Sequence, residues 1–196
     1  SPLSKYLDEL HADLIPNTEG SIAGYAESLP DIDPDGFGIS VTTLDGTTYT
    51  AGDADREFAI QSISKAFTYA LALSDSGFET VDAKIDVEPS GEAYNEISLQ
   101  ASTGRPANAL INAGAIVVCD CLCELSKIPK QDYLHFVRKL AGCDTIDFDP
   151  SVVESELSCA YRNRSIINLM KGFGNIHCDI DQVLDLYFHA CSIAMS

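Results

Sequence analysis

The stretch FAIQSISKAFTYALALSDSG, residues 58–77, decides the fold because it combines an apolar helix pattern with a polar pair at its start. From Ser62 onward the apolar residues recur with the period of a helix, and Gly77 supplies a stop signal. A spacing of three residues places Ser62 and Lys65 on one helix face, with Cβ atoms roughly 5–6 Å apart. The stretch therefore predicts a helix with a serine and a lysine side by side at its start.

This serine–lysine pair has two interpretations. A serine hydroxyl becomes a nucleophile when a base takes its proton, and a lysine is that base only when neutral. Burial and a helix N-terminus both lower a lysine pKa from its ordinary value of about 10.4. A helix that begins at Ser62 also directs free backbone N–H groups toward a developing oxyanion. Alternatively, Ser62 or Ser64 caps the helix and Lys65 extends to solvent, and the spacing alone leaves both open.

The regions around this stretch predict a hairpin and several helices. In residues 37–53 two β-prone runs flank Asp45-Gly46, which is typical of a two-residue hairpin turn. Residues 16–36 are rich in Pro, Gly and Asp and predict a long loop. Apolar periodicity predicts helices within residues 4–14, 108–125, 130–142, 162–174 and 179–195. A hairpin followed by helices indicates an α+β fold.

Composition limits the kind of partner and compartment. The formal net charge is −18, and such an acidic chain repels nucleic-acid backbones and anionic membranes. There is no apolar run of transmembrane length and no visible signal peptide. The seven cysteines contain no C-x-x-C motif, so we expect reduced, mostly buried thiols in a cytoplasmic protein. His177-Cys178 remains a weak alternative as a metal-binding pair.

Several long, ordered motifs resemble the serine-dependent glutaminase family. They are LDGTTYTAGDADREFAIQSISK (44–65), VDAKIDVEPSGEAYN (81–95), PANALINAGAIVVCD (106–120), ESELSCAYRNRSIINLMKGFGN (154–175) and VLDLYFHACSIAMS (183–196). The resemblance runs from about Tyr25 to the end of the chain. It implies a β-lactamase-like α+β fold, with an antiparallel sheet flanked by helices plus a helical subdomain. It also implies that residues 1–196 form a single catalytic region.

The resemblance assigns roles to individual residues and implies hydrolysis of L-glutamine to L-glutamate and ammonia, without metal or organic cofactor. The family's nucleophile corresponds to Ser62 and its partner lysine to Lys65. From its own chemistry, Tyr187 can donate to an oxygen or pass a proton between Ser62 and the leaving ammonia, which predicts it as a further catalytic residue. The substrate-binding residues implied are Tyr25, Gln61, Ser62, Asn112, Glu156, Asn163 and Tyr187.

The chemistry of these residue types suits the substrate. A carboxylate such as Glu156 neutralises an ammonium group, and the amides of Asn112 and Asn163 donate to a carboxylate. Without the resemblance, each residue has an ordinary structural explanation. Asn112 would cap a helix, Glu156 would lie on a solvated face with Glu154, Asn163 would be surface polar, and Tyr187 would belong to the core.

The family's catalytic unit extends beyond the length of this chain. It includes a further tyrosine of the site and a strand that bears K-S-G and supplies an oxyanion-hole N–H. We therefore expect the chain to be a fragment of a longer glutaminase. The resemblance also implies a homodimer or homotetramer. Two other hypotheses for the function remain open. One is a β-lactamase or penicillin-recognising serine enzyme, and the other is a catalytically inactive assembly module.

Overall fold

In the computed structural model, described here for residues 1–22, 32–92 and 96–196, the chain divides into two compact units. One unit comprises Ser1–Phe58 with Met195–Ser196, and the other comprises Ala59–Ala194. The helices are α1 (Pro2–Leu14), α2 (Ser64–Ser76), α3 (Phe78–Asp82), α4 (Asn112–Leu125), α5 (Pro129–Ala141), α6 (Pro150–Ser158), α7 (Tyr161–Gly172) and α8 (Ile180–Cys191). The strands are β1 (Gly38–Thr42), β2 (Thr48–Gly52), β3 (Phe58–Ala59), β4 (Asp147–Phe148) and β5 (Ile193–Met195). The single catalytic region expected across residues 1–196 stays a prediction.

The first unit packs α1 against a β-hairpin. A capping box starts the helix, because the Ser1 hydroxyl accepts a hydrogen bond from Ser4 N at 3.1 Å. The His11 ring stacks on Phe37 with centroids 5.1 Å apart, and its Nε2 lies 3.0 Å from the Phe37 carbonyl oxygen. Helix α1 lies against β2, which confirms the amphipathic helix expected near the N-terminus.

The hairpin is confirmed, but its predicted two-residue turn is wrong. The register pairs Thr42 with Thr48, and Thr43 N donates to Thr47 O at 2.9 Å, so the loop consists of residues 44–46. Gly46 has φ of 84°, the left-handed conformation that ends a three-residue loop. The Asp45 carboxylate accepts from Thr43 Oγ1 and from Thr47 N, and these two bonds favour the longer loop.

The second unit is built around α4. Every residue from Ala113 to Cys123 is buried, as expected from the apolar sequence, because α2, α5, α7 and α8 pack around it. Three short strands absent from the sequence prediction form a sheet in the order β3-β5-β4. Helices α3 and α6 are also additional to the predicted set. Together these elements make the α+β fold that was expected.

Three predicted helix ends are close to the observed ones. Helix α2 ends before Gly77, which has φ of 78°, and α5 ends before Gly142 with φ of 64°. Helix α7 ends at Gly172, two residues before Gly174 with φ of 82°. None of the described helices is both long and apolar enough to cross a membrane.

The start of α4 requires a glycine at position 114. A Cβ atom there would lie 1.8 Å from the Asn108 carbonyl oxygen. We expect Gly114→Ala to lower the free energy of unfolding by about 1–3 kcal/mol, because the segment that precedes α4 must move. Urea denaturation followed by circular dichroism measures this change.

Gly172→Ala is the matched control, because it is also helical and a Cβ there meets nothing within 4 Å. This change should be neutral or stabilising, by up to about 1 kcal/mol of helix propensity. Equal stability of the two variants would show that α4 tolerates a side chain at position 114.

Candidate functional site

Ser62 lies in a 3-10 helix, Gln61–Ile63, that leads directly into α2. Its side chain is exposed, as access to a substrate requires. The preceding residue, Gln61, has φ of 47°, and it is the one non-glycine residue with positive φ in the described ranges. Strained backbone of this kind persists where the surrounding structure holds it, often at functional sites.

The Gln61 side chain lies beside Glu156. Its Nε2 is buried and has no hydrogen-bond partner of standard geometry among the described residues. A looser hydrogen bond from the Gln61 side chain to Glu156 lowers the pKa of that carboxyl. A bound ligand that supplied a better-placed acceptor would gain from this donor.

Lys65 does not extend to solvent. It is 3% exposed, and its Nζ donates to Asn112 Oδ1 at 2.6 Å. Burial lowers the pKa of the Lys65 ammonium, against a smaller opposing effect of Cys191. The structure therefore rejects the interpretation of Lys65 as a surface side chain and places it in the environment that a lysine base requires.

Asn112 is the first residue of α4, and its side chain does not cap the helix. The cap position is Ile111, and the Asn108 side-chain oxygen accepts from the backbone N–H groups of Leu110 and Ile111. Asn112 is thereby free to accept from Lys65 while its Nδ2 donates to Asn163 Oδ1 at 3.3 Å. Lys65, Asn112 and Asn163 thus form one directed chain of hydrogen bonds.

Glu156 is half-buried on α6, whereas Glu154 on the same helix is exposed. Burial raises the pKa of the Glu156 carboxyl, and the neighbouring Gln61 side chain partly offsets that rise. A carboxylate held in partial burial gains strongly from a cation placed beside it. The solvated-face explanation therefore applies to Glu154 and not to Glu156.

Tyr187 lies in the buried stripe of α8 and is 6% exposed. Its ring makes a T-shaped contact with Phe188, with centroids 5.4 Å apart. One turn further on, Cys191 Sγ lies 3.7 Å from the hydroxyl of Ser64, the residue just before Lys65. The C-terminal end of α8 therefore packs beside the serine–lysine pair. Tyr25 lies outside the described residues.

Three contributors near this pair were missed from the sequence. Asn108 holds the turn before α4 by accepting from Leu110 N, and Tyr133 from α5 is buried with its hydroxyl donating to Ser64 O at 3.5 Å. Cys191 is the third, and burial raises the pKa of its thiol to about 12, which keeps it protonated. An asparagine shortly before an apolar helix is a signal for a turn-forming residue such as Asn108, whereas no local pattern identifies Tyr133 or Cys191.

A second polar cluster joins α4 to the segment before α8. The ligand atoms of Asp120, Glu124 and His177 lie within 4.8 Å of one another, which is a metal-like arrangement. The Lys84 ammonium lies among them: it forms an ion pair with Glu124, and its Nζ is 3.3 Å from His177 Nδ1. Cys178 Sγ donates to the Asp120 carbonyl oxygen at 3.8 Å. The cation of this cluster is Lys84, and the arrangement does not support His177-Cys178 as a metal pair.

The helices packed on short antiparallel strands, with Ser-x-x-Lys at the start of a buried helix, define the β-lactamase-like class of α+β proteins. The glutaminase family model matches residues 20–196. The glutaminase of Saccharophagus degradans is 43% identical over 194 residues, which cover 98% of this chain and 62% of that protein. The glutaminase of Agrobacterium fabrum is 43% identical and covers 97% of this chain and 62% of its own length.

A solved structure is also similar to this chain. The structure of Mglu in its glutamate form superposes with a TM-score of 0.91 at 39% identity, covering 100% of this chain and 46% of that one. The chain belongs to the glutaminase family. It spans about 62% of the length of the two curated relatives.

Glu156 gives a test of the site through stability. Its raised pKa means that the folded state binds a proton more readily than the unfolded state. Stability therefore falls as pH rises from the ordinary glutamate value through the folded pKa, and the unfavourable contribution is complete above it. We expect Glu156→Gln to raise the free energy of unfolding at pH 7, with the gain disappearing toward pH 4, as measured by urea denaturation.

Glu154→Gln is the control on the same helix. Because Glu154 is exposed, its replacement should change stability by less than about 0.5 kcal/mol at either pH. A gain for Glu154→Gln as large as that for Glu156→Gln would contradict the assignment of the burial cost to Glu156.

Proposed function

We propose that this site hydrolyses the side-chain amide of L-glutamine to L-glutamate and ammonia through a Ser62 acyl-enzyme. The observation that carries the proposal is the buried Lys65 ammonium bonded to Asn112 Oδ1, next to an exposed Ser62. Family membership supports the reaction type, and the glutamate form of Mglu supports a site of suitable shape in this fold.

Acylation begins with neutral Lys65 as general base. Lys65 Nζ takes the Ser62 hydroxyl proton as Ser62 Oγ attacks the amide carbon, and a tetrahedral oxyanion forms. When the C–N bond breaks, the proton passes to the departing nitrogen, which leaves as ammonia. The ester between Ser62 Oγ and the γ-carbonyl carbon remains.

The hydrogen bond from Lys65 to Asn112 fixes the direction of the lysine nitrogen. A neutral amine still donates one N–H to Asn112 Oδ1, so its lone pair points elsewhere and is available to the serine proton. Burial supplies the neutral form at lower pH than an exposed lysine would reach.

Each charged group of the substrate is recognised by a side chain of complementary charge or hydrogen-bonding character. Glu156 takes the α-ammonium group, since its half-buried carboxylate gains from a partner cation. Asn163 accepts from Asn112 through Oδ1, which leaves the two N–H donors of its Nδ2 for the substrate carboxylate. Gln61 contributes its buried Nε2, and Tyr25 contributes a hydroxyl, as the family resemblance implies.

Deacylation returns the site to its starting state. Water attacks the ester carbonyl carbon, its proton returns to Ser62 Oγ, and L-glutamate is released. In the acylation step, Tyr187 relays a proton between Ser62 and the departing ammonia, because a phenol hydroxyl both donates and accepts. All these steps use the chain's own side chains and water.

Three further parts belong to the proposal. The protein acts in the cytoplasm, as its composition led us to expect. As the family resemblance implies, it functions as a homodimer or homotetramer and uses residues 1–196 as one catalytic region. The seven free cysteines are compatible with a reducing compartment.

Replacement of Ser62 tests the nucleophile. We expect Ser62→Ala to reduce ammonia release from L-glutamine by at least about 10³-fold, because no acyl-enzyme forms. A coupled glutamate dehydrogenase assay measures the released ammonia. Ser74→Ala replaces an exposed serine on α2 and should leave the rate unchanged.

Undiminished ammonia release from Ser62→Ala would remove Ser62 from the nucleophile role. Turnover of a chromogenic β-lactam by a protein that leaves L-glutamine intact would instead favour the penicillin-recognising reading of the Ser-x-x-Lys pair.

The pH dependence tests Lys65. We expect kcat/KM to rise with pH as the Lys65 ammonium loses its proton, with a midpoint below the ordinary lysine value. Asn112→Asp places a carboxylate against Lys65, which favours the ammonium and should move the midpoint to higher pH. Asn168→Asp adds the same charge at an exposed position on α7 and should leave the midpoint in place. A midpoint insensitive to Asn112→Asp would exclude Lys65 as the titrating base.

A further inference from the structure

Asp120 is a fully buried carboxylate in the middle of α4, away from the proposed catalytic groups. Its oxygens accept backbone N–H groups from a different part of the chain. His177 N donates to Oδ1 at 3.0 Å and to Oδ2 at 3.1 Å, and Cys178 N donates to Oδ1 at 2.9 Å. A buried carboxylate that accepts several N–H bonds is held tightly, because each lost bond leaves a charge unsatisfied.

The segment that Asp120 holds leads directly into α8. Asp179 follows Cys178 and caps the helix, its carboxylate accepting from Asp181 N and Gln182 N. The first turn of α8 is thereby joined to α4 through two consecutive residues. The opposite end of α8 is also fixed, because Cys191 Sγ lies 3.7 Å from Ser64 Oγ and Ile193 O accepts from Ile60 N at 2.9 Å.

The two helices joined by Asp120 carry residues of the site. Asn112 starts α4, about 12 Å along the helix from Asp120, and Tyr187 lies about 10 Å along α8 from its first residue. Asp120 therefore touches none of the reacting groups. Its position controls where the axis of α8 lies relative to α4, and hence where the Tyr187 ring lies relative to Asn112 and Lys65.

The charge of Asp120 is balanced locally. Lys84 Nζ lies 3.9 Å from Asp120 Oδ2 and also forms an ion pair with Glu124. Glu124 contacts the His177 ring through Nδ1, but it accepts no backbone N–H from the segment before α8 among the described residues. Glu124 thus has the same charged neighbours as Asp120 but lacks its hydrogen bonds from backbone N–H groups. It is therefore a matched control.

We propose that Asp120 is a positioning residue that fixes α8 against α4 and so places Tyr187 for the reaction. The effect on the reaction rests on the proposed function, whereas the placement of Tyr187 by Asp120 does not depend on it. It predicts that loss of the Asp120 carboxylate displaces Tyr187, whereas an equivalent loss at Glu124 does not.

The test combines fluorine NMR with kinetics on the whole chain. Labelling with 3-fluorotyrosine gives eight reporters, because the chain has eight tyrosines, and Tyr187→Phe assigns the Tyr187 signal. Asp120→Asn keeps one acceptor oxygen but turns an amide N–H2 toward the backbone donors or toward Lys84. We expect the Tyr187 resonance to shift or split in this variant and the Tyr133 resonance to stay. Glu124→Gln should leave both unchanged.

Kinetics separates positioning from general weakening. For Asp120→Asn we expect kcat for L-glutamine to fall about 10- to 100-fold, the range that a small misplacement of a catalytic group produces. KM should change little, because Glu156 and Asn163 lie on α6 and α7, and Asn112 lies about 12 Å along α4 from Asp120. Glu124→Gln should keep both constants.

Several results would overturn the inference: an unmoved Tyr187 signal in folded Asp120→Asn, an equal shift in Glu124→Gln, or a rise in KM with unchanged kcat. If Asp120→Asn does not fold, hydrogen exchange on the unaltered protein decides. Protection of the His177 and Cys178 amides comparable to that of α4 supports the contact, and exchange at unstructured-peptide rates contradicts it. If the unaltered chain releases no ammonia, the proposed function fails, and the fluorine result still decides the placement of Tyr187.

Discussion

The hydrogen bond between Lys65 Nζ and Asn112 Oδ1 is the interaction on which the rest of the site depends. It joins the start of α2 to the start of α4, and it satisfies a lysine nitrogen that burial has removed from water. Without an acceptor at that point, burial of the ammonium would oppose folding by several kcal/mol. The partner is a neutral amide and not a carboxylate, so the bond holds Lys65 in place without stabilising its charge strongly. That choice permits a lowered pKa, which an ion pair would prevent.

Much of this arrangement could be predicted from the sequence, because it is local. The Ser62–Lys65 spacing, the apolar period of α8 around Tyr187 and the left-handed glycines after α2 and α5 each depend on residues within a few turns of one another. The fully apolar run of α4 indicated burial on all sides, as observed. The roles of Asn112, Glu156 and Asn163 were different: each had an ordinary structural explanation, and only the resemblance of whole motifs to a family distinguished them.

What could not be predicted depends on contacts between distant segments. The strands β3, β4 and β5 have two or three residues each, too few for an alternating pattern, and they exist because their partners are brought alongside. The bonds from His177 and Cys178 to Asp120 cross 57 and 58 residues. The hairpin loop could not be predicted correctly even from nearby residues. Asp-Gly favours a two-residue turn, but the Asp45 side chain accepts hydrogen bonds from Thr43 and Thr47, and these bonds favour the longer loop.

The site combines several features that are unfavourable for stability. Lys65 is a buried ammonium, Glu156 is a partly buried carboxylate whose pKa is raised, and Gln61 has a strained backbone. In the proposed function, the ammonium group of a substrate would give the Glu156 carboxylate a cation as its partner, which would offset the cost of its partial burial. The apolar helix α4 and its close neighbours offset these costs, and the bonds from His177 N and Cys178 N to Asp120 join α4 to the segment before α8. The surrounding helices therefore hold these side chains and the strained Gln61 backbone in positions that they would not adopt on their own.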